Sequence, residues 1–180
     1  RASALAQEKG SDLDTQARAR LLRSRLEEEA RISKSAFELR RRTSDLASQG
    51  YGVEAIATVR RAIELRPADA RARIQLAELL SNQGQLAEAV EQARAAVAAK
   101  PDLLRARQRL ASLLLGAGDG EGALSETRAW AKLAPDEPDA QFALGQILLG
   151  RGDAEEALEV LSRAEKVDLL KRIDVATRAL

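Results

Sequence analysis

Four glycines recur along this chain at intervals of 34 residues, and this period constrains the fold more than any other feature of the sequence. They are Gly50, Gly84, Gly118 and Gly152. Prolines keep the same interval at Pro67, Pro101 and Pro135, and alanines keep it at Ala55, Ala89, Ala123 and Ala157. A strict period of this length is typical of helix pairs that stack into an array. Such arrays present surfaces to other molecules and rarely carry out chemistry themselves.

The glycine register divides most of the chain into four units, residues 36–69, 70–103, 104–137 and 138–168. Each unit is predicted to hold a helix A that ends at the glycine and a helix B that ends at the proline. Glycine adopts the positive φ that commonly follows a helix, and proline cannot continue one. Leucines at helical spacing predict an apolar stripe on each helix A: Leu76 and Leu80, Leu110 and Leu114, and Leu144 and Leu148. Asp69, Asp102 and Asp136 follow the prolines and are expected to cap the next helix A.

These features resemble the tetratricopeptide repeat family, whose units have small residues at the eighth and twentieth positions and proline at the thirty-second. The small residues here are Ala77, Ala111 and Gly145 on helix A and the periodic alanines on helix B. The resemblance covers residues 36–168. It implies an all-α fold, a right-handed α-α superhelix of about four repeats, without catalytic activity. The fourth position departs from the family, which often has a large aromatic there, whereas this chain has Leu39, Arg73, Arg107 and Gln141.

One pair of departures suggests a compensating exchange of volume. Trp130 stands where the other units have Ala62, Ala96 and Ala164, and Gly145 stands where the preceding units have alanine. We therefore expect the indole to occupy space that the glycine releases. The alternative is a Trp130 half-exposed on the outer surface.

The two ends of the chain lie outside the repeat. Residues 1–35 are predicted to form a degenerate helix pair that caps the N-terminal end of the stack, with a long helix over residues 12–31. A free coiled-coil arm is the alternative. Residues 169–180 are predicted to be a C-terminal capping helix or the start of a further repeat. Because the chain begins without methionine, we interpret it as part of a longer protein.

Composition excludes most enzymatic functions. The chain has no cysteine and no histidine, which removes thiol nucleophiles, disulfides, the usual zinc ligands and the usual base for a serine nucleophile. The glycine-rich segment at residues 116–122 lacks the lysine and hydroxyl residue of a phosphate-binding loop. No apolar run approaches the roughly 20 residues that span a bilayer. We therefore predict no catalytic residues, no metal site and no cofactor.

The resemblance implies a binding site in a concave groove lined by helix A side chains. The groove positions in this sequence are Phe37, Arg40, Arg41, Ser44, Arg71, Gln75, Glu78, Asn82, Arg105, Gln108, Arg109, Phe142 and Gln146. Five of these are arginines, whose paired donors suit carboxylates. The groove is therefore expected to hold an acidic or polar segment of a partner protein.

Some family members hold a peptide's terminal carboxylate in a clamp of basic and asparagine residues from three successive helices. Arg40, Ser44, Gln75, Arg105 and Arg109 fall on the clamp positions. Ser44 and Gln75 stand where the family has asparagine, which weakens the match. Three alternatives stay open: a true clamp, a more general groove for acidic or polar segments, and arginines that are merely solvated or paired with acids such as Glu38 and Glu78.

These observations predict a non-catalytic protein–protein interaction scaffold. The family and the arginine-rich composition suggest a bacterial envelope assembly, such as one for exopolysaccharide synthesis or export, in the periplasm or at the cytoplasmic face of the inner membrane. Self-association through the stack ends, giving a homo-oligomer, is the alternative. Nucleic-acid binding is disfavoured because acidic residues interrupt the basic ones, the net charge is only +1, and the chain has four aromatic residues.

Overall fold

A computed structural model describes residues 2–165, with side chains described at residue 16 and from residue 18 onward. That part of the chain is all-α. Its first seven helices are α1 Ala2–Ser48, α2 Gly52–Leu65, α3 Ala70–Asn82, α4 Leu86–Ala99, α5 Leu104–Gly116, α6 Gly120–Leu133 and α7 Pro138–Arg151. An eighth helix, α8, begins at residue 154 and is described as far as residue 165. The prediction of residues 169–180 as a terminal helix lies outside the described residues.

Each periodic glycine closes a helix A with the same turn. All four have positive φ, between +76° and +90°. After α3, for example, the amide of Gln85 donates to the carbonyl of Leu80 at 2.9 Å, and the amide of Gly84 donates to that of Ser81 at 3.0 Å. This is the Schellman pattern, which satisfies the last carbonyls of a helix. The sequence-based prediction for these glycines is confirmed.

The two glycines near the end of α7 should respond to alanine with opposite signs. Gly152 has a φ of +90°, so Gly152→Ala should lower the free energy of unfolding by about 1–2 kcal/mol. Gly150 lies inside the helix, and a Cβ there would meet no atom within 4 Å. Gly150→Ala should therefore raise the free energy of unfolding by about 0.5–1 kcal/mol. Urea unfolding of both variants measures this, and shifts of the same sign would contradict it.

The helices stack as consecutive antiparallel pairs. The end of α1 packs against α2, α3 against α4, and α5 against α6, while each B helix also contacts the next A helix. In addition α3 contacts α5, so the A helices form the inner layer of the array. The core between the layers consists of the periodic residues: Leu80, Leu110, Leu114 and Leu148 are at most 2% exposed, and Ala55, Ala89, Ala123 and Ala157 are fully buried.

Only one of the three expected aspartate caps forms. The carboxylate of Asp69 accepts hydrogen bonds from the amides of Arg71 and Ala72 at the start of α3. The corresponding cap positions of α5 and α7 are Leu103 and Glu137, and neither side chain makes a cap bond. Asp69 is the second residue after its proline, whereas Asp102 and Asp136 follow theirs directly. They therefore lie one residue too early, and their prediction as caps is wrong.

The N-terminal segment is one helix rather than a helix pair. Residues 2–48 are continuous in α1, whose C-terminal end serves as helix A of the first unit. No proline interrupts residues 1–35, and Gly10 alone does not end the helix. Leu21, Leu22 and Leu26 are 56–63% exposed, so this stretch does not cover the end of the stack within the described chain. The expectation of a capping helix pair over residues 1–35 is therefore corrected.

The nearest neighbour of Gly145 is Leu161, not the Trp130 that the aligned units suggested. Trp130 is buried, and its indole nitrogen donates to the Glu137 carboxylate at 3.3 Å. A Cβ on Gly145 would lie 2.6 Å from Cγ and Cδ2 of Leu161 on α8. The glycine therefore makes room for Leu161, a residue that the comparison of aligned units did not connect with it.

In units two and three, an arginine stands at the fourth position, where the family often has an aromatic residue. Hydrogen bonds hold each of these arginines in place. Arg73 Nε donates to the carbonyl of Pro67 at 3.0 Å and its Nη1 to Gln92 on α4 at 3.0 Å. In the next unit, Arg107 donates to the Pro101 carbonyl at 2.9 Å and to Glu126 at 2.7 Å. Each arginine thus links the preceding turn to helix B of its own unit, a role that packing of an aromatic ring would otherwise fill.

Candidate functional site

Three helices of the inner layer bring four of the five predicted clamp residues around one cavity, and the fifth, Arg109, lines the neighbouring cavity. The first cavity has a volume of about 460 Å³, and we call it the arginine groove. Helix α1 contributes two residues, α3 four, and the start of α5 with the residue before it the last two. Its lining is Arg40, Ser44, Arg71, Ile74, Gln75, Glu78, Leu103 and Arg105. The period of 34 places these side chains on one face because equivalent residues of successive A helices lie side by side.

The end of the arginine groove that α1 and α3 form contains two buried polar atoms that make no hydrogen bond among the described residues. Gln75 Nε2 donates to Ser44 Oγ at 2.9 Å, which joins α3 to α1. Gln75 Oε1 and Arg40 Nε are buried and have no hydrogen-bond partner among the described residues. Arg40 Nε lies 3.5 Å from the Asp69 carboxylate, and its guanidinium stands 5.7 Å from the Phe37 ring centre. Buried polar atoms are normally hydrogen-bonded, so these two are exceptions, and the Arg40 guanidinium is balanced by its ion pair with Asp69.

A carboxylate already occupies the other end of the arginine groove. One oxygen of Glu78 accepts from Arg105 Nη2 at 3.1 Å and from Arg109 Nη2 at 2.9 Å. The Glu78 side chain is 23% exposed, and the Arg105 side chain is 68% exposed. Two arginines from α5 therefore converge on a single carboxylate oxygen from α3. Guanidinium groups bind carboxylates through charge-assisted hydrogen bonds of this kind.

The arginine groove continues along α5 into two further cavities. The middle cavity, about 560 Å³, is lined by Leu104, Arg105, Gln108, Arg109, Ser112, Trp130, Glu137 and Asp139. The third, about 640 Å³, lies among α5, α6 and α7 and includes Phe142 and Gln146. Ten of the 13 groove residues expected from the sequence line these cavities. Phe37, Arg41 and Asn82 are exposed but lie outside the three linings.

Mapping the inner positions of the A helices missed groove residues on helix B and at the two ends of α7. Thr127 and Trp130 on α6 line the third cavity, and so do Asp139 and Arg151 near the ends of α7. The signal that could have found the indole is the replacement of a periodic alanine by tryptophan. Hydrogen bonds to Glu121 and, to a lesser extent, to Asp153 raise the pKa of Arg151.

The described residues contain no cluster of three or more side chains suited to hold a metal ion. A search of the same part of the chain finds no helix long and apolar enough to cross a membrane.

Two models of the tetratricopeptide repeat match the sequence. One matches residues 109–168 and the other residues 58–91, together just over half of the 180 residues. The chain belongs to the tetratricopeptide repeat family. The prediction made from the glycine register is thereby confirmed. No curated protein sequence matches the chain.

Solved structures with the same fold support the assignment of this tetratricopeptide array. A crystal structure of MamA aligns with a TM-score of 0.71 at 17% identity, over 77% of this chain and 81% of the other. MamA residues 41 to the end from Desulfovibrio magneticus RS-1 align with a TM-score of 0.66 at 22% identity, over 74% and 75%. The first repeat domain of Spaghetti (RPAP3), bound to the HSP90 peptide SRMEEVD, aligns with a TM-score of 0.62 at 20% identity, over 67% and 95%. At these identities the likeness concerns the fold.

Proposed function

We propose that this tetratricopeptide array is a non-catalytic scaffold that binds an acidic segment of a partner protein in the arginine groove. The observation that carries the proposal is the convergence of Arg105 and Arg109 on one oxygen of Glu78. Charge-assisted hydrogen bonds of this kind are about twice as strong as neutral ones. A partner carboxylate that displaces Glu78 would inherit the hydrogen bonds of both arginines.

The RPAP3 structure supports this choice of ligand. Its peptide, SRMEEVD, has three acidic residues among its last four, and it is bound to a domain of the same fold. In the present chain Ser44 and Gln75 stand at the clamp positions where the family has asparagine, and they bond to each other at 2.9 Å. We infer that this pair supplies the amide and hydroxyl contacts of the clamp. A free terminal carboxylate is then the preferred end of the bound segment.

Removing the internal carboxylate should strengthen binding. In Glu78→Gln, a ligand carboxylate no longer competes with Glu78 for Arg105 and Arg109, and the groove gains one unit of positive charge. The affinity for the labelled peptide SRMEEVD should rise about tenfold, which corresponds to about 1.4 kcal/mol. Fluorescence anisotropy of the peptide titrated with the wild-type chain and the variant measures the change. Wild-type binding itself should weaken as salt is raised from about 0.05 to 0.5 M.

Glu126→Gln is the matched control. Glu126 also bonds an arginine, Arg107, and its side chain is 21% exposed, but it lies outside the three groove cavities. The peptide affinity of this variant should equal that of the wild type. Weaker binding by Glu78→Gln would mean that Glu78 orients the arginines instead of competing with the ligand. Absence of peptide binding by the wild-type chain and by Glu78→Gln would overturn the proposed function.

The wider setting that we infer is a bacterial envelope assembly, such as one for exopolysaccharide synthesis or export. Its support is the family, whose bacterial members often organise such assemblies, and the high arginine content of the chain. Cell fractionation followed by immunoblotting tests this setting. Recovery of the protein in the soluble cytoplasm alone would contradict it.

Self-association is a second candidate function, favoured by the exposed leucines of α1. Leu21, Leu22 and Leu26 lie within six residues of one helix and are each more than half exposed. Two copies could bury these side chains against each other. Light scattering over a concentration series would detect the dimer, and a constant monomer mass would exclude this candidate.

A further inference from the structure

Helix α1 extends well beyond the helix that packs against it. It has 47 residues and is about 70 Å long, whereas α2 has 14 residues and is about 21 Å long. Every side chain between residues 18 and 31 is exposed. Leu22 and Leu26 are among them, 59% and 63% exposed. Large apolar side chains that are grouped together and left in water commonly mark an interaction surface.

Four apolar residues lie along one side of this extension, and we call them the leucine stripe. They follow one another at intervals of three or four residues, the spacing that places side chains on one helix face: Ala19, Leu22, Leu26 and Ala30. Leu21 is not part of the stripe because it lies about 140° around the helix from Leu26. The stripe covers only about 80° of the helix circumference, which is typical of a seam between two helices.

The charges beside the leucine stripe are segregated along the helix. Four basic residues precede Leu26 and three acidic residues follow it: Arg18, Arg20, Arg23 and Arg25, then Glu27, Glu28 and Glu29. Glu28 forms an ion pair with Arg31 of its own helix. The two ends of the stripe therefore carry opposite charge.

This segregation decides in which direction two copies of α1 can pair. In a parallel pair, the arginines of one helix would lie beside the arginines of the other, and like charges repel. In an antiparallel pair centred on Leu26, the basic end of each helix lies beside the acidic end of the other. Arg23 and Glu27 border one edge of the stripe, and Arg25 and Glu29 border the other edge. Equal edges face each other in an antiparallel pair, so each arginine lies within about 3 Å, measured along the axis, of the level of a glutamate of the second copy.

We propose that two copies of this chain pair through the leucine stripe in antiparallel direction, with Leu26 at the two-fold axis. This inference rests on the second candidate function, self-association, and adds the surface, the direction and the register. Leu26 packs against Leu26 of the second copy, and Leu22 packs against Ala30 of the second copy. Such an interface uses the same surface on both copies, which is the commonest symmetry of soluble oligomers. The dimer carries two arginine grooves, one on each side of the axis.

Cysteine cross-linking tests the direction and the register, because the chain has no cysteine of its own. Leu26→Cys should form a covalent dimer on oxidation. Ala19→Cys and Ser33→Cys should each remain monomeric on a non-reducing gel, because the two copies of either residue lie about 21 Å apart along the axis. A mixture of these two variants should cross-link, because Ala19 lies opposite Ser33 of the second copy. Cross-linking of Ala19→Cys alone would show a parallel pair and overturn the inference.

Exchange of charges tests the ion pairs. The double variant Arg23→Glu and Arg25→Glu has only glutamates at the four edge positions, and Glu27→Arg with Glu29→Arg has only arginines there. Dimerisation of each double variant should weaken more than about tenfold, since four attractive pairs become repulsive. An equimolar mixture of the two double variants should recover a dimer. Failure of the mixture to associate more tightly than either double variant alone would contradict the proposed pairs.

Two leucines of α1 provide matched variants for the stripe. Leu26→Ala removes apolar contact from both copies at the axis, so dimerisation should weaken about tenfold or more. Leu21 is 56% exposed but lies outside the stripe, and Leu21→Ala should change dimerisation less than about twofold. Light scattering over protein concentrations from about 1 to 200 µM measures both, and the dimer fraction of the wild-type chain should rise over this range. Equal effects of the two substitutions would contradict the assignment of the stripe.

The outcomes separate this inference from self-association in general and from peptide binding. A dimer that withstands Leu26→Ala and both charge reversals would leave self-association standing and overturn pairing through the leucine stripe. A constant monomer mass would exclude both. Neither result would change the affinity of the arginine groove for SRMEEVD, which anisotropy measures independently.

Discussion

Reversing the charge of both arginines that hold Glu78 should abolish binding of acidic peptides. In the double variant Arg105→Glu and Arg109→Glu, two donors to a ligand carboxylate are lost and three negative charges, including Glu78, come together. Each charge-assisted hydrogen bond contributes about 1.5–3 kcal/mol, so the affinity for SRMEEVD should fall more than about 100-fold. The helical circular dichroism signal should persist because the two arginine side chains are 68% and 37% exposed.

A matched double charge reversal distinguishes direct contact between the arginines and the ligand from the effect of the overall charge. Arg20→Glu and Arg23→Glu change the net charge by the same four units, and both residues are exposed on α1, outside the groove cavities. This control should lose less than about threefold in affinity, a difference that disappears at high salt. Equal losses in the two double variants would show that only the overall charge matters. Full binding by the Arg105 and Arg109 variant would place the interface elsewhere.

The fold was predictable because the same physical requirement repeats four times. A positive φ after each helix A requires glycine, and close approach of the helices requires alanine at the same place in each unit. Gly84 has a φ of +76°, and Ala89 is fully buried. One such position would be weak evidence, but the shared register of glycine, alanine and proline leaves few other arrangements.

The N-terminal segment was not predictable from this register because no periodic residue lies within it. Whether a helix continues through Gly10 depends on a small free-energy difference. Glycine has a low helix propensity, and the favourable helix propensities of the neighbouring residues must outweigh it. The expected helix pair required a turn in residues 1–35, but α1 runs from Ala2 to Ser48 without one. Its exposed leucines show that amphipathic spacing alone does not tell what a helix packs against.

The candidate site was also predictable from the sequence only in part. The register places Arg40, Gln75 and Arg105 on one face of the inner layer, and the structure brings all three to one cavity. The possibility that Glu78 pairs with the arginines was open from the sequence. That one oxygen accepts from both Arg105 and Arg109 depends on how α3 and α5 approach each other, which spacing along the chain does not give.

The repeat fixes where side chains point, whereas the side chains that differ between units determine what the groove can bind. Units one to three supply arginines, and units three and four supply Leu115, Trp130 and Phe142. A regular backbone thus carries a charged half and an apolar half side by side.

Two adjacent leucines of α5 should contribute very differently to the stability of the fold. Leu114 is 2% exposed in the core cluster that also contains Trp130, so Leu114→Ala should lower the free energy of unfolding by about 2–5 kcal/mol. Leu115 is 49% exposed, and Leu115→Ala should change the free energy of unfolding by less than about 0.5 kcal/mol. Urea unfolding followed by circular dichroism and by Trp130 emission measures both. Similar losses of stability in the two variants would mean that Leu115 belongs to the core.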